Sequence, residues 1–269
     1  MLTSSRRRRL FLAAACAVAF VALTAVTSAN HSWNGYHWAR QSNPFTLKLG
    51  DNVSSTWDPI LATTSADWSL STVLDTTIVP GQANPRNCRP TSGRVEVCNS
   101  TYGNTGWLGV AQVWVTTGLH ITQGTVKLND TYFNTPRYNT TPWRNLVSCQ
   151  EVGHTLGLDH QDTNFNNANL GTCMDYTSDP TGSDPNYPQN CCLDNEHPNL
   201  HDYEELQLIY LHLDSTTTIG QLTTKLQDLI HSAPPEWGRL IRQSRDGHTS
   251  VYEYDFGDGH KVFTFVIWA

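Results

Sequence analysis

The sequence predicts an α+β fold, and three observations lead to that prediction. First, a strand-like segment and a helix-like segment follow each other at 45–49 and 57–70, because one alternates apolar side chains and the other repeats them at helical spacing. Second, several more strand-like runs precede one long helical segment. Third, a loop-rich region and a final helix come after it. The chain therefore opens like an α/β protein and continues as an α+β domain.

Each predicted element has its own local signal. Asp58-Pro59 is a suitable start for the first helix. Runs of apolar and β-branched residues predict strands at 45–49, 73–79, 94–97, 107–115 and 126–129. Thr141 as N-cap, with Pro142 at the first helical position, predicts the start of the long helix.

The C-terminal part predicts a loop, a helix and a hairpin. Residues 162–199 are rich in Asn, Asp, Pro and Gly, and so predict an irregular region. Helical periodicity over 219–231 ends before Pro234-Pro235, and 250–268 alternates as two strands around Gly257-Asp258-Gly259. Three segments are predicted: a signal at 1–29, a main domain at 30–214 and an extension at 215–269. The extension is too small to fold alone and should pack on the main domain.

Composition indicates a globular protein and excludes one class of function. The chain is 38% hydrophobic and 15% charged, which is enough for one core with an appendage. Its net charge is −7, and no basic stripe follows the N-terminus, so we expect no nucleic-acid partner. A monomer is expected.

Residues 1–29 are typical of an export signal. A basic stretch at 6–9 precedes an apolar run at 10–25 and a small-residue cleavage site at 27–29. The apolar run is shorter than the roughly 20 residues that span a bilayer, so we expect no stable membrane anchor. Arg8 and Arg9 also resemble a twin-arginine signal, and both export routes stay open. The protein is predicted to be secreted, and bacterial.

Six cysteines remain after the signal, and an even number in an exported chain predicts disulfides. Proximity in the sequence suggests two pairs, Cys88 with Cys98 and Cys149 with Cys173. A cysteine-rich zinc site is the alternative, but it lacks the usual C-x-x-C spacing. The six candidates are Cys88, Cys98, Cys149, Cys173, Cys191 and Cys192.

The most informative stretch is 150–160, which reads Q-E-V-G-H-T-L-G-L-D-H. A helix turns about 100° per residue, so Gln150 and His154 lie one turn apart on one face, with Glu151 beside them. Gly157 can take the positive φ that ends a helix, which lets the chain turn so that His160 approaches from outside. These positions suit two metal ligands, a base and a third ligand.

This stretch resembles the metzincin zinc endopeptidases, whose pattern is H-E-x-x-H-x-x-G-x-x-H, with Gln150 in place of the first histidine. Cys173-Met174-Asp175-Tyr176 resembles the Met-turn of that clan, and 200–210 resembles the C-terminal helix of matrixins. The resemblance covers roughly residues 43–213. It implies a mixed, twisted sheet with an active-site helix and a C-terminal helix.

The resemblance also implies a set of roles. Zn²⁺ would be held by Gln150, His154 and His160, with Glu151 as general base. Met174 would form the floor beneath the metal. An extended polypeptide substrate would pair with an edge strand that includes Leu108, Gly109, Val110 and Ala111. Alternatively, that segment is an ordinary buried strand.

Gln150 leaves two outcomes open. An amide oxygen is neutral like imidazole but is a weaker donor for zinc, so the site either works with Gln150 as a ligand or has abandoned metal. We favour a working site, because Glu151, His154 and His160 keep the family spacing. The predicted function is a secreted zinc-dependent endopeptidase, and the alternative is an inactive peptide-binding module with the same fold. Asp159 is a weaker alternative ligand.

Calcium is a further candidate cofactor. Acidic and amide side chains in the irregular region could bind Ca²⁺, although no EF-hand spacing is present and solvated turns are the alternative. These side chains are Asp162, Asn164, Asn166 and Asp184.

Overall fold

One mixed β-sheet forms the frame of the protein in the computed structural model, which describes residues 30–165, 167–183, 194–220 and 234–269. Its strands are β1 His37–Trp38, β2 Phe45–Asn52, β3 Leu74–Pro80, β4 Val95–Ser100, β5 Trp107–Thr116, β6 His120–Asn129, β7 Arg239–Gln243, β8 Thr249–Gly257 and β9 His260–Trp268. The helices of the described residues are α1 Asp58–Trp68, α2 Asp130–Phe133, α3 Thr141–Thr155 and α4 Leu200–Ile209.

The strand order is β3-β2-β4-β6-β5-β9-β8-β7. Neighbours from β3 to β6 are parallel, whereas every pair from β6 to β7 is antiparallel. The short β1 pairs with β6 in parallel. The sheet therefore changes character at β6, where the C-terminal strands continue it.

The α+β class predicted from the sequence is confirmed, and so are most of its elements. The last strand before the long helix begins at His120, six residues earlier than predicted, because 120–125 pairs with β5 despite its polar residues. Three elements were missed: β1, α2 and β7. β7 is exposed along its whole length, so it has no alternation of apolar residues to detect. The helix predicted over 219–231 falls almost entirely on 221–233, outside the described residues.

The helix that carries the motif is confirmed at both ends, with one correction. Its N-cap is Thr140 rather than Thr141, since the Thr140 hydroxyl accepts from the Trp143 amide. At the other end Gly157 has φ +101°, and a Cβ there would lie 2.3 Å from the Tyr36 carbonyl oxygen. Only glycine fits this conformation at this approach, so the chain turns here as predicted.

The core holds α3 between α1 and the sheet. Trp68 is fully buried, and its indole N–H donates to the Cys149 carbonyl oxygen at 3.1 Å. Val147 and Val152 are also fully buried and belong to the same apolar cluster. Burying side chains of this kind contributes about 1.5–3 kcal/mol each, so α3 is a rigid platform.

The C-terminal strands share this core. β9 pairs with β5 from Trp107 to Val115, and Phe263 and Phe265 lie in the cluster that contains the α3 residues. The hairpin predicted at 250–268 is confirmed: β8 and β9 pair in antiparallel, and Gly257 pairs with His260 next to the turn. The extension thus packs on the main sheet as additional strands.

Two disulfides confirm the pairs suggested by the sequence. Cys88 bonds Cys98, and Cys149 bonds Cys173, which ties α3 to the segment around Met174. Cys191 and Cys192 lie outside the described residues. Among the helices of the described ranges, none has the length and apolar character needed to cross a membrane.

Candidate metal centre

The structure brings the residues of the motif together. Gln150, Glu151 and His154 lie on the last two turns of α3, and His160 returns toward them after the turn at Gly157. The rings of His154 and His160 lie with centroids 4.8 Å apart and planes at 75°. The two imidazoles therefore lie side by side, which is the arrangement expected of two ligands of one metal ion.

His154 is held in one tautomer. Its Nδ1 lies 2.9 Å from the Leu158 carbonyl oxygen, which can only accept, so Nδ1 carries the proton. Nε2 then presents a lone pair, and within the described chain this buried atom has no hydrogen-bond partner. Burial, and next the neighbouring His160, lower the pKa of His154 to about 3, which keeps the ring neutral. A backbone carbonyl behind a neutral imidazole is the usual support of a metal-binding histidine.

His160 is oriented by the residue before it. Its Nδ1 lies 3.6 Å from Asp159 Oδ1, and its Nε2 is buried without a partner among the residues described. Asp159 also accepts hydrogen bonds from Nη1 and Nη2 of Arg242, and the Nη2–Oδ1 distance is 2.5 Å. Burial alone would raise the pKa of Asp159, but the nearby His160 ring and the hydrogen bonds from Arg242 hold it well below its usual value. Asp159 is thus engaged by Arg242, which makes it a poor substitute ligand.

Glu151 is as deeply buried as His154. The side chain is fully buried, and neither carboxylate oxygen has a partner in the described ranges. Burial raises the pKa of Glu151 well above its ordinary value, and the Ala111 backbone amide offsets this only in part because it does not reach hydrogen-bonding geometry. An unpaired carboxyl group in an apolar interior is a candidate proton carrier.

Gln150 is fixed by its amide nitrogen. Nε2 donates to the carbonyl oxygens of Cys173 at 2.7 Å and Asp175 at 3.0 Å. Because both partners can only accept, the orientation of the amide is settled, and Oε1 is the only atom of this group that could ligate a metal. Gln150 therefore joins α3 to the Met174 segment while keeping one donor atom.

Met174 packs against α3, and its role as a floor beneath a metal stays a prediction. It is fully buried, and a Cβ on Gly153 would come within 2.5 Å of its sulfur and 2.8 Å of the Trp68 ring. The helix therefore approaches this turn closely only because residue 153 has no side chain.

The predicted substrate strand is not an edge strand. β5 pairs with β6 on one side and with β9 on the other, so Leu108, Gly109, Val110 and Ala111 are all buried. The edge position was wrong because the C-terminal strand adds to the sheet there, a long-range pairing that β5 itself does not indicate.

The strand β9 also covers the histidines. Phe265 stacks on His154 with ring centroids 4.3 Å apart and planes at 10°. A small cavity beside Gln150 is lined by Leu108, Tyr176, Ile267 and Trp268, so the chain end closes this side too. β9 therefore covers His154 and one side of Gln150, whereas His160 borders a separate cavity that Tyr176 and Arg242 also line.

Two other groups of histidine and aspartate could hold a metal, each with ligand atoms within 4.8 Å of one another. One consists of His31, His201 and Asp202, and the other of His37, His212 and Asp214. Sequence reasoning missed both, because each group joins one histidine near the start of the domain to residues in or after α4, and no motif links the two segments. Asp202 belongs to the 200–210 segment, whose only signal in the sequence is its likeness to the C-terminal helix of matrixins.

The calcium prediction finds limited support. Asp162 accepts hydrogen bonds from the Asn164 amide and the Asn167 side chain, which is typical of a self-contained turn. Asn166 and Asp184 lie outside the described residues. Calcium binding stays a prediction.

No protein-family model matches this chain, and no curated protein is significantly similar to it. The chemistry therefore rests on the site itself: two imidazoles, one amide oxygen and one buried carboxyl group.

Proposed function

We propose that the protein is an exported zinc-dependent endopeptidase held in a closed, latent state by its own C-terminal strand. The observation that carries the proposal is a set of buried polar atoms without partners among the described residues: Nε2 of His154, Nε2 of His160 and both oxygens of Glu151. Each such atom costs roughly 1–3 kcal/mol. A cation bound by the two imidazoles, beside the carboxylate, would remove most of that cost.

The donor set fits zinc. Imidazole nitrogens suit zinc better than the hard cations Ca²⁺ and Mg²⁺, and Oε1 of Gln150 offers a neutral third donor. His154, His160 and Gln150 would hold the ion. When bound, zinc supplies a Lewis acid that lowers the pKa of water and polarises a carbonyl group.

Glu151 is the residue that would move protons. Its carboxylate would take a proton from water and return it to the leaving amine. Burial raises the pKa of Glu151 above its ordinary value, which makes the carboxyl group a stronger base than an exposed glutamate. β5 would orient an extended peptide through its backbone, a mode of binding that demands little of the peptide sequence.

The same geometry requires an opening step, because β9 already occupies the side of β5 that a peptide would use. Phe263, Phe265 and Val266 are buried on this strand, and each contributes about 1.5–3 kcal/mol to the closed state. We therefore expect the intact protein to be nearly inactive, with activity appearing as β9 is loosened.

The experiment combines metal analysis with a loosened variant. Arg242→Ala removes the ion pair with Asp159 and leaves the apolar core intact, whereas Arg239→Ala removes an exposed pair with Glu253 and serves as the control. The oxidised protein should carry zinc. Cleavage of an unfolded protein substrate should rise at least several-fold in R242A but not in R239A.

Glu151→Gln tests the mechanism in the R242A background. Glutamine keeps the shape of the side chain but cannot accept a proton, so cleavage should fall by about 100-fold or more while zinc content is unchanged. Undiminished cleavage in the R242A/E151Q protein, or protein that binds no zinc, would refute the proposal.

A second candidate is an exported module without catalysis. The observation that favours it is the occupied groove together with the two hydrogen bonds that Gln150 makes to backbone carbonyls, which give this side chain a structural task. Gln150→His in the R242A background separates the two. Activity that rises from near zero to a large value supports the inactive module, and a modest change supports the amide as a working ligand.

A further inference from the structure

Three histidines face one carboxylate oxygen in a part of the fold that the candidate metal centre does not use. His37 lies in β1, His120 begins β6, and His212 and Asp214 follow α4. The Nε2 atoms of His120, His37 and His212 lie 3.2, 3.5 and 3.6 Å from Oδ1 of Asp214. We call these four side chains the Asp214 cluster.

The other carboxylate oxygen is already occupied. Arg40 donates to Oδ2 of Asp214 from Nη1 at 3.0 Å and from its backbone N–H at 3.1 Å. This fixes Oδ1 toward the three imidazoles. One oxygen has about two lone pairs, so it cannot accept well from three donors. The separations also exceed the roughly 2.7–2.9 Å of charge-assisted hydrogen bonds.

The tautomer of His37 makes this arrangement more specific. Its Nδ1 lies 2.8 Å from the Gly35 carbonyl oxygen, which can only accept, so Nδ1 carries the proton. In the neutral ring of this tautomer, Nε2 presents a lone pair. This lone pair faces Asp214 Oδ1, and the Nε2 atom of His37 lies 3.1 Å from Nε2 of His212. Something positive between these atoms would stabilise them.

The spacing suits a tetrahedral ion. Bonds of about 2.0–2.1 Å in tetrahedral zinc place its ligand atoms about 3.3 Å apart. The separations here are 3.1 Å between the two nitrogens of His37 and His212, and 3.5 and 3.6 Å from those nitrogens to the carboxylate oxygen. We propose that His37, His212 and Asp214 form a binding site for Zn²⁺ or a similar borderline divalent cation, with His120 beside it as a fourth ligand.

The chemistry of the donors selects the class of ion. Two imidazoles with one carboxylate suit Zn²⁺, whereas Ca²⁺ and Mg²⁺ prefer oxygen ligands throughout. His37 has the carbonyl of Gly35 behind it and Asp214 has Arg40 behind it, which are the supports that orient metal ligands. The His212 side chain is about half exposed and borders a cavity that His37 and Leu119 also line, so an ion can enter.

A bound ion would join three separate segments of the chain. The cluster takes residues from β1, from the start of β6 and from the segment after α4. Binding of zinc should therefore raise the stability of the folded protein. In the metal-free alternative, His212 donates a hydrogen bond to His37 and His120 donates one to Asp214. The number of zinc ions bound per protein molecule distinguishes the two arrangements.

The test uses the oxidised, exported protein after removal of metal by a chelator. Zinc chloride is added, excess is removed, and bound zinc is counted by elemental analysis for wild type, His212→Ala and His260→Ala. His212 is about half exposed and contacts His37 within the cluster, and His260 is a histidine outside the cluster. We expect H212A to bind one zinc fewer than wild type and H260A to match wild type. Zinc should also raise the melting temperature of wild type more than that of H212A.

The site does not depend on the proposed function, and the outcomes separate the two. One zinc in wild type and none in H212A supports the Asp214 cluster and counts against zinc at His154 and His160. Equal zinc content in wild type and H212A overturns the cluster and leaves zinc at His154 and His160 to its own test. A zinc-free wild type overturns both.

Discussion

At the scale of single residues, the candidate centre is built from side chains that local contacts have already oriented. His154 is fixed by the Leu158 carbonyl, His160 by Asp159, and Gln150 by two carbonyls of the Met174 segment. Glu151 alone has no polar partner of good geometry in the described chain. The site is therefore preorganised, with its proton carrier held in an apolar surrounding.

Gly153 is a residue whose replacement should reveal how closely α3 approaches the Met174 turn. Alanine would place a Cβ 2.5 Å from the Met174 sulfur and 2.8 Å from Trp68, which a hydrogen bond holds in place. The better helix propensity of alanine offers about 1 kcal/mol, but the overpacking costs about 1–3 kcal/mol. We expect Gly153→Ala to lower the free energy of unfolding in urea by roughly 1 kcal/mol, the difference between the middle of that cost and the gain. A variant as stable as wild type would show that the turn can move aside.

His197 provides a pH-dependent contact before α4. Its Nδ1 lies 2.7 Å from Asp67 Oδ2; burial works to lower the pKa of His197, but the hydrogen bond and charge of Asp67 raise it overall. A raised pKa means that this contribution to stability is complete below the unfolded pKa near 6.5 and is lost as pH rises through the folded value. Asp67→Asn should lower the pKa of His197 in an NMR titration. An unchanged titration would exclude Asp67 as the cause.

At the scale of elements, the pairing of β9 with β5 decides whether the site is open. β5 would be an edge strand without the C-terminal hairpin, and unpaired edges readily accept another strand. β7 and the loop after it are joined to the centre by three polar contacts, from Arg242 to Asp159 and from Tyr176 to Ser244 and Asp246. Because β7 pairs with β8, these contacts link the C-terminal strands to the turn that bears His160.

Hydrogen exchange measures how firmly that element is held. Arg242→Ala should increase the exchange of the β7 to β9 amides by several-fold, because it removes the anchor on Asp159 without removing apolar contacts. Arg239→Ala, which loses only an exposed pair, should leave exchange close to that of wild type. If both variants exchange like wild type, the ion pair does not hold the hairpin.

At the scale of the whole molecule, one core serves both the motif-bearing part and the C-terminal extension. Phe263, Phe265 and Val251 from the extension share a cluster with residues of α1, α3 and β2. The described residues therefore give no separate core to the extension. Its net contribution is to lengthen the sheet and to cover the site.

This shared core predicts a single unfolding transition. Far-UV circular dichroism reports the sheet, and tryptophan fluorescence reports residues in both parts, including Trp68 and Trp268. The two signals should change together in urea, as expected for two-state unfolding. Two separated transitions would instead assign the extension to an independent unit.

The sequence by itself determined the local features. It located α3, its turn at Gly157, the two disulfides and the spacing that brings His154 beside His160, because each of these depends on neighbours in the chain or on backbone geometry. The gathering of His37, His120 and His212 around Asp214 could not be predicted, since those residues share no periodicity and meet only when distant segments pack. The position of β9 on β5 was likewise decided by the tertiary structure, because strand pairing depends on long-range contacts. A hairpin signal predicts two strands but not the edge to which they add.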